Sequence, residues 1–385
     1  MKRIYFDNGS TSFPKAPGVS DAVKDLLDNG AFNINRGGYE EAYQISEQVL
    51  ETRELLCRMF DFDKVKNVAF APSITYSLNY LIKGFLKKGD HVITSSMEHN
   101  GVMRPLTQMK ATGVEFDCAE CFDDGTLDPQ RVEDLIKPNT KAVIMTAASN
   151  VCGTFLPLYE IGHICRDHGL VFIVDSAQKA GTFPISMKKL CIDGLAFTGH
   201  KSLLGPQGVG GMLISDRLVQ ETEPLIAGGT GSASHKEEMP SFMPDRFEAG
   251  TMNLPGIIGL RAALLYHAGR PEGEMANNEL DLAMRFLEGV ERIKGTRPVG
   301  LSTREGRAAI VSVDFLNDDN ARVAFELESS YGVMTRVGLH CAPRAHKTLG
   351  TFPSGTVRFS FGHGNVEEEV DYCIDALRRI TGQKA

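Results

Sequence analysis

The sequence predicts an α/β protein built around a mostly parallel sheet, with a smaller α+β unit towards the C-terminus. Three observations lead to this prediction. Short apolar runs alternate with amphipathic helical stretches across residues 67–214, which is typical of βαβ units. Two of these runs, 170–174 and 194–197, are bounded as buried parallel strands are. Residues 308–379 instead indicate antiparallel strands with helices on one face.

The elements of the first half follow from the spacing of apolar residues. Apolar side chains that recur every three or four positions share one helix face, and they predict helices from Glu40 and over 74–86. Bounded apolar runs and turn residues predict the other elements: strands at 68–70, 91–94 and 114–118, a helix from Pro129, and a buried strand that ends at Asn150.

The second half is predicted to begin with a helix at 158–168 and the two strands already named. Residues 227–256 are rich in Gly, Ser and Pro, and so long a loop in a compact domain is usually functional. The remaining pattern predicts helices at 256–268, 274–292, 322–329 and 366–379, and strands at 308–315, 333–337 and within 356–362. We expect a large domain at 16–258 and a small domain formed by 1–15 and 259–385.

Composition argues against several classes of protein. The chain has 385 residues and a formal net charge of −8, which disfavours a dedicated binder of nucleic acid. No apolar window is long enough to span a bilayer and the N-terminus lacks a signal peptide's apolar core, so we expect a cytoplasmic protein without a membrane partner. The eight cysteines are then expected to be reduced thiols. No metal site is expected, because the CxxC at Cys118 and Cys121 has no second ligand pair.

Polar side chains follow the two central strands. Asp175 comes directly after the first strand, and Lys201 comes shortly after the second. Open α/β sheets bind ligands at the carboxyl ends of their strands, so these two groups are expected to share a site. Pyridoxal phosphate needs a lysine for its Schiff base and a carboxylate that keeps its pyridine nitrogen protonated. A nucleotide P-loop is excluded, because His200 separates Gly199 from Lys201 where that motif allows no insertion.

Four segments carry a resemblance to a known family: D-S-A-Q at 175–178, T-G-H-K at 198–201, R-F-E-A-G-T at 246–251 and R-V-G-L-H-C-A-P at 336–343. They resemble the class V, fold-type I pyridoxal-phosphate enzymes, and within them the cysteine desulfurase and selenocysteine lyase group. The resemblance runs nearly from end to end of the chain. It implies a fold-type I transferase, with a mostly parallel seven-stranded sheet in the large domain and a small C-terminal α+β domain.

The resemblance also implies which residues hold the cofactor. Lys201 would carry the Schiff base and Asp175 would pair with the pyridinium. The start of the helix at Ser73, Ile74 and Thr75 is expected to bind the phosphate, since the first turn of a helix attracts anions. The other implied contacts are ring stacking and proton transfer by His99, ring-hydroxyl contacts by Asn150 and Gln178, phosphate contacts by Thr198 and His200, and a contact of Thr251 with the cofactor phosphate of a neighbouring subunit in a homodimer.

Cys341 is the residue that selects the reaction among the many that this cofactor supports. The resemblance implies that its thiolate attacks the sulfur of L-cysteine, which leaves alanine and an enzyme persulfide. The persulfide sulfur then passes to an acceptor, and a sulfur-accepting protein is an expected partner. Neighbouring cations favour the thiolate, and Arg336 and His340 are the expected sources of charge. Arg358 is expected to bind the substrate carboxylate through its bidentate fork. The remaining substrate-side residues implied by the resemblance are Asn8, Arg36 and Arg336.

The sequence departs from the family on several segments. Gly9 and Ser10 replace two alanines, and the other departures are Tyr39, Tyr76, Asn100, Leu339 and Gly364-Asn365-Val366. Most of them lie on segments that the family places around the substrate. Other functions therefore stay open: a selenocysteine lyase or another amino-acid C–S lyase in which Cys341 is auxiliary, or a non-catalytic homologue that scaffolds partners. A thiol-redox protein is disfavoured, because Cys118 lacks the helix start that such motifs use.

Overall fold

A computed structural model describes residues 3–34 and 37–383. It contains thirteen strands and twelve α-helices in this part of the chain. In order they are β1 (Ile4–Tyr5), α1 (Val19–Asn29), α2 (Glu40–Met59), β2 (Val68–Ala71), α3 (Ile74–Asn79), β3 (His91–Ser95), α4 (Asn100–Lys110), β4 (Glu115–Ala119), α5 (Gln130–Glu133), β5 (Thr140–Thr146), α6 (Leu158–Asp167), β6 (Val171–Asp175), β7 (Gly194–Thr198), β8 (Gly210–Ile214), α7 (Asp216–Glu221), α8 (Leu254–Ala268), α9 (Glu274–Glu291), β9 (Thr296–Val299), β10 (Ile310–Phe315), α10 (Asn320–Tyr331), β11 (Val333–Met334), β12 (Arg336–Gly338), α11 (Pro343–Thr348), β13 (Thr356–Ser360) and α12 (Glu367–Ile380).

The large sheet has seven strands in the order β2-β8-β7-β6-β5-β3-β4. The strands β7, β6, β5, β3 and β4 pair in parallel, and β8 runs antiparallel to both of its neighbours. This confirms the predicted mostly parallel sheet of an α/β protein. The carboxyl ends of the parallel strands meet at one edge, which is where the functional residues lie.

The sheet is buried on both faces. Along β6, Phe172 and Val174 belong to one apolar cluster, while Val171 and Ile173 belong to the cluster on the other face. Successive side chains of a strand point to opposite faces, so helices must cover both sides. This explains why the sequence shows a continuous apolar run there instead of an alternating pattern.

The second sheet has four antiparallel strands in the order β12-β13-β10-β9. Helices α9, α10 and α12 share one apolar core with it, and Phe286, Phe359 and Leu377 are among the members of that core. The N-terminal segment belongs to this unit, because β1 pairs with β11 and Phe6 is buried in the same core. The α+β character predicted for this region is confirmed, whereas the domain boundaries stay a prediction.

Several element boundaries differ from those predicted. The strand expected to end at Asn150 ends at Thr146, and a turn carries the chain on to Asn150. The strand expected at 333–337 is two strands, because β11 pairs with β1 while β12 joins the four-stranded sheet. The helix expected over 74–86 is α3 followed by a π-helical turn at Tyr80–Gly84. In each case the partner in three dimensions decides where the element ends.

Two further observations concern the described chain as a whole. Among residues 3–34 and 37–383, none of the helices combines the length and the apolar character needed to cross a membrane. All eight cysteines are free thiols, and Cys341 is the exposed one among them.

Candidate active site

Asp175 and Lys201 lie at the same edge of the large sheet. Asp175 is the last residue of β6, and Lys201 lies just beyond Thr198, the last residue of β7. The two strands are parallel neighbours, with Asp175 in register with Ala196. Both strand ends therefore open on the same side, and a carboxylate and an amine meet there as the sequence predicted.

Burial controls the protonation of both groups. It lowers the pKa of the Lys201 amine to about 8, because an ammonium group loses hydration inside the protein, although the charge of Asp175 opposes this effect. Burial also raises the pKa of Asp175, while the N–H of Ala177, 2.9 Å from Oδ1, and the charge of Lys201 act in the other direction. An amine with a pKa near 8 has a useful neutral, nucleophilic fraction at neutral pH.

Three buried polar atoms at the end of β7 and on the loops after β5 and β7 have no hydrogen-bond partner within the described residues. They are Asn150 Oδ1, Thr198 Oγ1 and His200 Nδ1. A buried polar atom without a partner costs about 1–3 kcal/mol, so such atoms usually mark the place of a ligand. The three atoms fit a ligand that carries both hydrogen-bond donors and acceptors, as pyridoxal phosphate does.

The start of α3 adds backbone donors to this edge. Ser73 precedes the helix in an extended conformation, and its side chain makes no capping hydrogen bond. Neither Ile74 nor Thr75 has a helical carbonyl one turn earlier to which its N–H could donate. Gly210 of β8 lies against this turn, and a Cβ there would come within 3.0 Å of the nitrogen of Ile74 and 2.7 Å of the carbonyl oxygen of Phe197. Close approach of β8 to the turn thus requires glycine.

His99 is a neutral imidazole at the entrance to this edge. Its Nδ1 accepts a hydrogen bond of 2.9 Å from the N–H of Gly101, which caps α4. Burial, together with the charges of Lys201 and Arg336, lowers the pKa of His99 to about 4. Because Nδ1 is an acceptor, the ring proton of the neutral form must lie on Nε2.

Cys341 lies in the loop between β12 and α11, where its backbone has a left-handed φ of 59°. Its carbonyl oxygen accepts a hydrogen bond of 2.8 Å from the N–H of Asn100, which ties this loop to the start of α4. The thiol lines a cavity of about 680 Å³ together with His99. Arg336 Nη2 lies 4.0 Å from Cys341 Sγ, so the expected source of positive charge is present.

His340 does not supply the positive charge that the sequence suggested. Its Nε2 is hydrogen-bonded to Thr356 Oγ1 at 3.1 Å, and the ring is buried. Burial, with the charges of Arg358 and Arg336, lowers the pKa of His340 to about 2. The imidazole is therefore neutral, and this part of the sequence prediction is wrong.

Arg358 and Arg336 face each other in register on β13 and β12. Arg358 is buried, and its Nη1 donates to the carbonyl oxygen of Asn150 at 2.9 Å while Nη2 donates to Asp7 Oδ1 at 2.8 Å. Both guanidinium groups also donate to Ser10 Oγ, each at 2.7 Å. Positive charge is thereby concentrated beside Lys201, whose pKa both arginines help to lower.

The other predicted site residues differ in their surroundings. Gln178 is buried, and its Nε2 donates to the carbonyl oxygen of Gly9 at 3.0 Å. The side chain of Asn8 holds its own segment, donating to the carbonyl of Ser360 at 3.1 Å and accepting from the N–H of Phe13 at 3.1 Å. Thr251 lies on the loop before α8, and Arg36 lies outside the described residues. The assigned roles of all these residues stay predictions.

Sequence reasoning missed two residues, Glu98 and Lys15. Glu98 is fully buried; its Oε1 accepts from Ser95 Oγ and, at 3.0 Å, from the N–H of Thr146. Burial raises the pKa of Glu98 to about 8, so this neighbour of His99 is protonated at neutral pH. Lys15 Nζ donates to the carbonyl oxygen of His200 at 2.9 Å, and so holds the loop that carries Lys201. The sequence signal for each was its position, Glu98 directly before His99 and Lys15 at the end of the N-terminal segment 1–15.

Comparison with known proteins identifies the family. The sequence profile described as "Aminotransferase class-V" matches residues 4–373. The chain belongs to the class-V aminotransferase family. It is 32% identical to a probable cysteine desulfurase of Pyrococcus abyssi over 98% of this chain and 94% of that protein. A probable cysteine desulfurase of Methanothermobacter thermautotrophicus is 29% identical over 98% of this chain and 95% of its own length.

Solved structures agree with this membership. The apo structure of a cysteine desulfurase from Thermococcus onnurineus superimposes with a TM-score of 0.92 at 30% identity, covering 98% of this chain and 94% of that one. The cysteine desulfurase CsdA of Escherichia coli gives a TM-score of 0.87 at 27% identity, with coverages of 97% and 94%. Class-V enzymes generally depend on pyridoxal phosphate, so family membership confirms the enzyme class that the two central motifs predicted.

Proposed function

We propose that this protein is a pyridoxal-phosphate-dependent cysteine desulfurase, which converts L-cysteine to L-alanine and receives the sulfur on Cys341. The observation that carries the proposal is the position of this exposed thiol. It lines the same cavity as His99, whose imidazole lies close enough to Lys201 to respond to its charge. A thiol at this position has access both to solvent and to a substrate held above the lysine.

The residues at the sheet edge suit the cofactor. Lys201 would attach it, Asp175 would pair with its ring nitrogen, and the unpaired atoms of Thr198 and His200, with the start of α3, would hold its phosphate. When bound, pyridoxal phosphate supplies an aldehyde for the lysine amine and an aromatic ring that withdraws electrons from the substrate Cα.

The protein residues then bind the substrate and move protons and sulfur. Arg358 orients the amino-acid carboxylate with its positive charge and its Nε–H, which has no hydrogen-bond partner within the described residues. Lys201, with a pKa of about 8, accepts and returns a proton near the substrate Cα. Cys341 Sγ attacks the substrate sulfur, so that a S–S bond forms as the C–S bond breaks. A proton takes the place of sulfur on the substrate Cβ, and one thiol and one cysteine become a persulfide and alanine without an external oxidant.

The cavity outside Cys341 suits an acidic sulfur acceptor. Arg104, Arg344 and Lys347 line it, and the lining residues of the described chain include no Asp or Glu. Neither Arg104 nor Lys347 forms a salt bridge within residues 3–34 and 37–383, although the protein as a whole has a net charge of −8. Three cations around an exposed thiol therefore favour a thiol-bearing partner whose surface is negatively charged.

We also propose a homodimer in which Thr251 contributes to the neighbouring subunit's site. Thr251 lines a cavity of about 190 Å³ with Tyr76 and Ile226, and these apolar side chains are 47% and 46% exposed. Leu225 and Phe242 on the same long loop are also exposed. Contiguous exposed apolar surface on a protein usually marks an interface, and a second copy of this chain fits it. A cytoplasmic location stays a prediction.

The decisive experiment measures products from L-cysteine in the presence of dithiothreitol. Purified holoenzyme is expected to release alanine and sulfide in equal amounts, and Cys341→Ala is expected to lose both while keeping the visible absorbance of the bound cofactor. Cys191→Ala is a matched control, because Cys191 also has a left-handed φ, of 51°, and an arginine nitrogen 4.0 Å from its sulfur.

The same assay separates the alternatives. Activity of Cys341→Ala on selenocysteine but not on cysteine would identify a selenocysteine lyase. Pyruvate and ammonia in place of alanine would identify an elimination reaction. Holoprotein that consumes neither amino acid would contradict the proposal.

A further inference from the structure

Ser10 occupies an unusual position between charged groups. Its hydroxyl lies 2.7 Å from Asp7 Oδ1, 2.7 Å from Arg336 Nη1 and 2.7 Å from Arg358 Nη2. A serine hydroxyl has one hydrogen to donate and two lone pairs that accept. Ser10 therefore donates to Asp7 and accepts from both arginines, which uses its full hydrogen-bonding capacity. An alanine at this position could make none of these bonds.

The two arginines depend on Ser10 to different degrees. Arg358 has two further anchors, Asp7 and the carbonyl oxygen of Asn150. Within the described residues, the Arg336 side chain donates to one oxygen, Ser10 Oγ. The other contact of the guanidinium is the sulfur of Cys341, at 4.0 Å. Arginine side chains are long and have many rotamers, so loss of one anchor leaves Arg358 in place but releases Arg336.

We propose that Ser10 is a positioning residue that holds the Arg336 guanidinium against the thiol of Cys341. It acts through Arg336 and joins the arginine beside the nucleophile to the arginine of the carboxylate site. Arg336 then lies in one orientation before the substrate binds, with its Nη2 4.0 Å from the attacking sulfur. This inference rests on the proposed function for its role in turnover, but the contact itself can be tested without turnover.

The direct test is alkylation of Cys341 by iodoacetamide at neutral pH without substrate, followed by mass spectrometry of the Cys341 peptide. Ser10→Ala is expected to slow this alkylation about threefold or more, because the guanidinium is no longer held beside the reacting sulfur. Ser10→Thr keeps the hydroxyl and is expected to react at the rate of the unmodified protein. Ser329→Ala is the control, since Ser329 donates to the carbonyl of Phe325 in α10.

A double-mutant comparison shows whether Ser10 acts through Arg336. Arg336→Gln should slow alkylation as well, and adding Ser10→Ala to it should cause no further decrease, because residues that act through one contact are not additive. An unchanged alkylation rate in Ser10→Ala, or two effects that multiply, would overturn the proposal. If Ser10→Ala fails to fold, Arg336→Lys replaces it in the test. Lysine lacks the guanidinium fork, so an alkylation rate close to that of Arg336→Gln supports the proposed contact between Ser10 and Arg336. An alkylation rate equal to that of the unmodified protein overturns it.

Steady-state kinetics adds a readout that a general structural defect would not give. Ser10→Ala is expected to lower kcat for alanine formation about threefold or more while changing KM for L-cysteine less than about twofold, because Arg358 keeps its other anchors. Failure of the proposed function would appear as no alanine from any variant. Failure of the Ser10 proposal would appear as unchanged alkylation, so the two outcomes are distinguishable.

Discussion

The low basicity of Lys201 leads to a prediction about how the apoprotein captures pyridoxal phosphate. Burial moves the pKa of this amine from the usual 10.5 to about 8, which corresponds to about 3 kcal/mol against the ammonium form. At pH 7 the neutral fraction is then about 300 times that of an ordinary lysine. Only the neutral amine attacks the aldehyde. The capture rate, followed by visible absorbance, should therefore rise about tenfold from pH 6 to pH 7 and level off above pH 8.

Variants at Asp175 and at a second lysine make this prediction specific. Asp175 raises the pKa of Lys201, so Asp175→Asn should move the midpoint of the pH profile below 8. Lys179 is a matched control, because burial lowers its pKa to about 8 as well and it follows the neighbouring strand β6, over the ring of Phe155. Lys201→Arg should abolish capture and Lys179→Arg should not. A midpoint near 10, an upward movement in Asp175→Asn, or equal loss in both lysine variants would refute the reasoning.

Three further predictions concern the residues around this pair. Arg358→Lys should raise KM for L-cysteine by about tenfold or more in steady-state assays, because a point charge cannot replace the planar guanidinium; an unchanged KM would contradict the carboxylate role. Charge reversal of Arg104 and Lys347 to Glu should slow sulfur transfer to an acidic thiol protein but not to dithiothreitol. Charge reversal of the exposed Lys66 is the control. Equal slowing of both transfers would exclude an electrostatic docking surface. Since burial raises the pKa of Glu98 to about 8, the folded state binds more protons there than the unfolded state between pH 5 and 8, so stability is lost as the pH rises. Glu98→Gln should therefore gain thermal stability relative to the unmodified protein as the pH rises from 5 to 8, and parallel curves for the two proteins would contradict a buried neutral acid.

Local patterns predicted the large sheet and the position of its central pair well. The apolar runs before Asp175 and Lys201 are strands because their residues must be buried on both faces, and parallel strands bring their carboxyl ends together. Element ends were less predictable. The break between β11 and β12 depends on which strands pair with them. The partner of β11 is β1, which lies more than three hundred positions away in the sequence.

The substrate side shows most clearly where sequence reasoning stops. The chemistry of an amine, a carboxylate and a thiol in recognisable motifs was enough to predict the class of reaction. The charge state of His340, the protonated form of Glu98 and the bridging hydroxyl of Ser10 were not predictable, because burial and contacts across the fold set them. Residue identity by itself determines which reactions are chemically available to this protein. Only the tertiary structure decides which groups are charged and which are held together, because desolvation and hydrogen-bond geometry arise when distant segments pack.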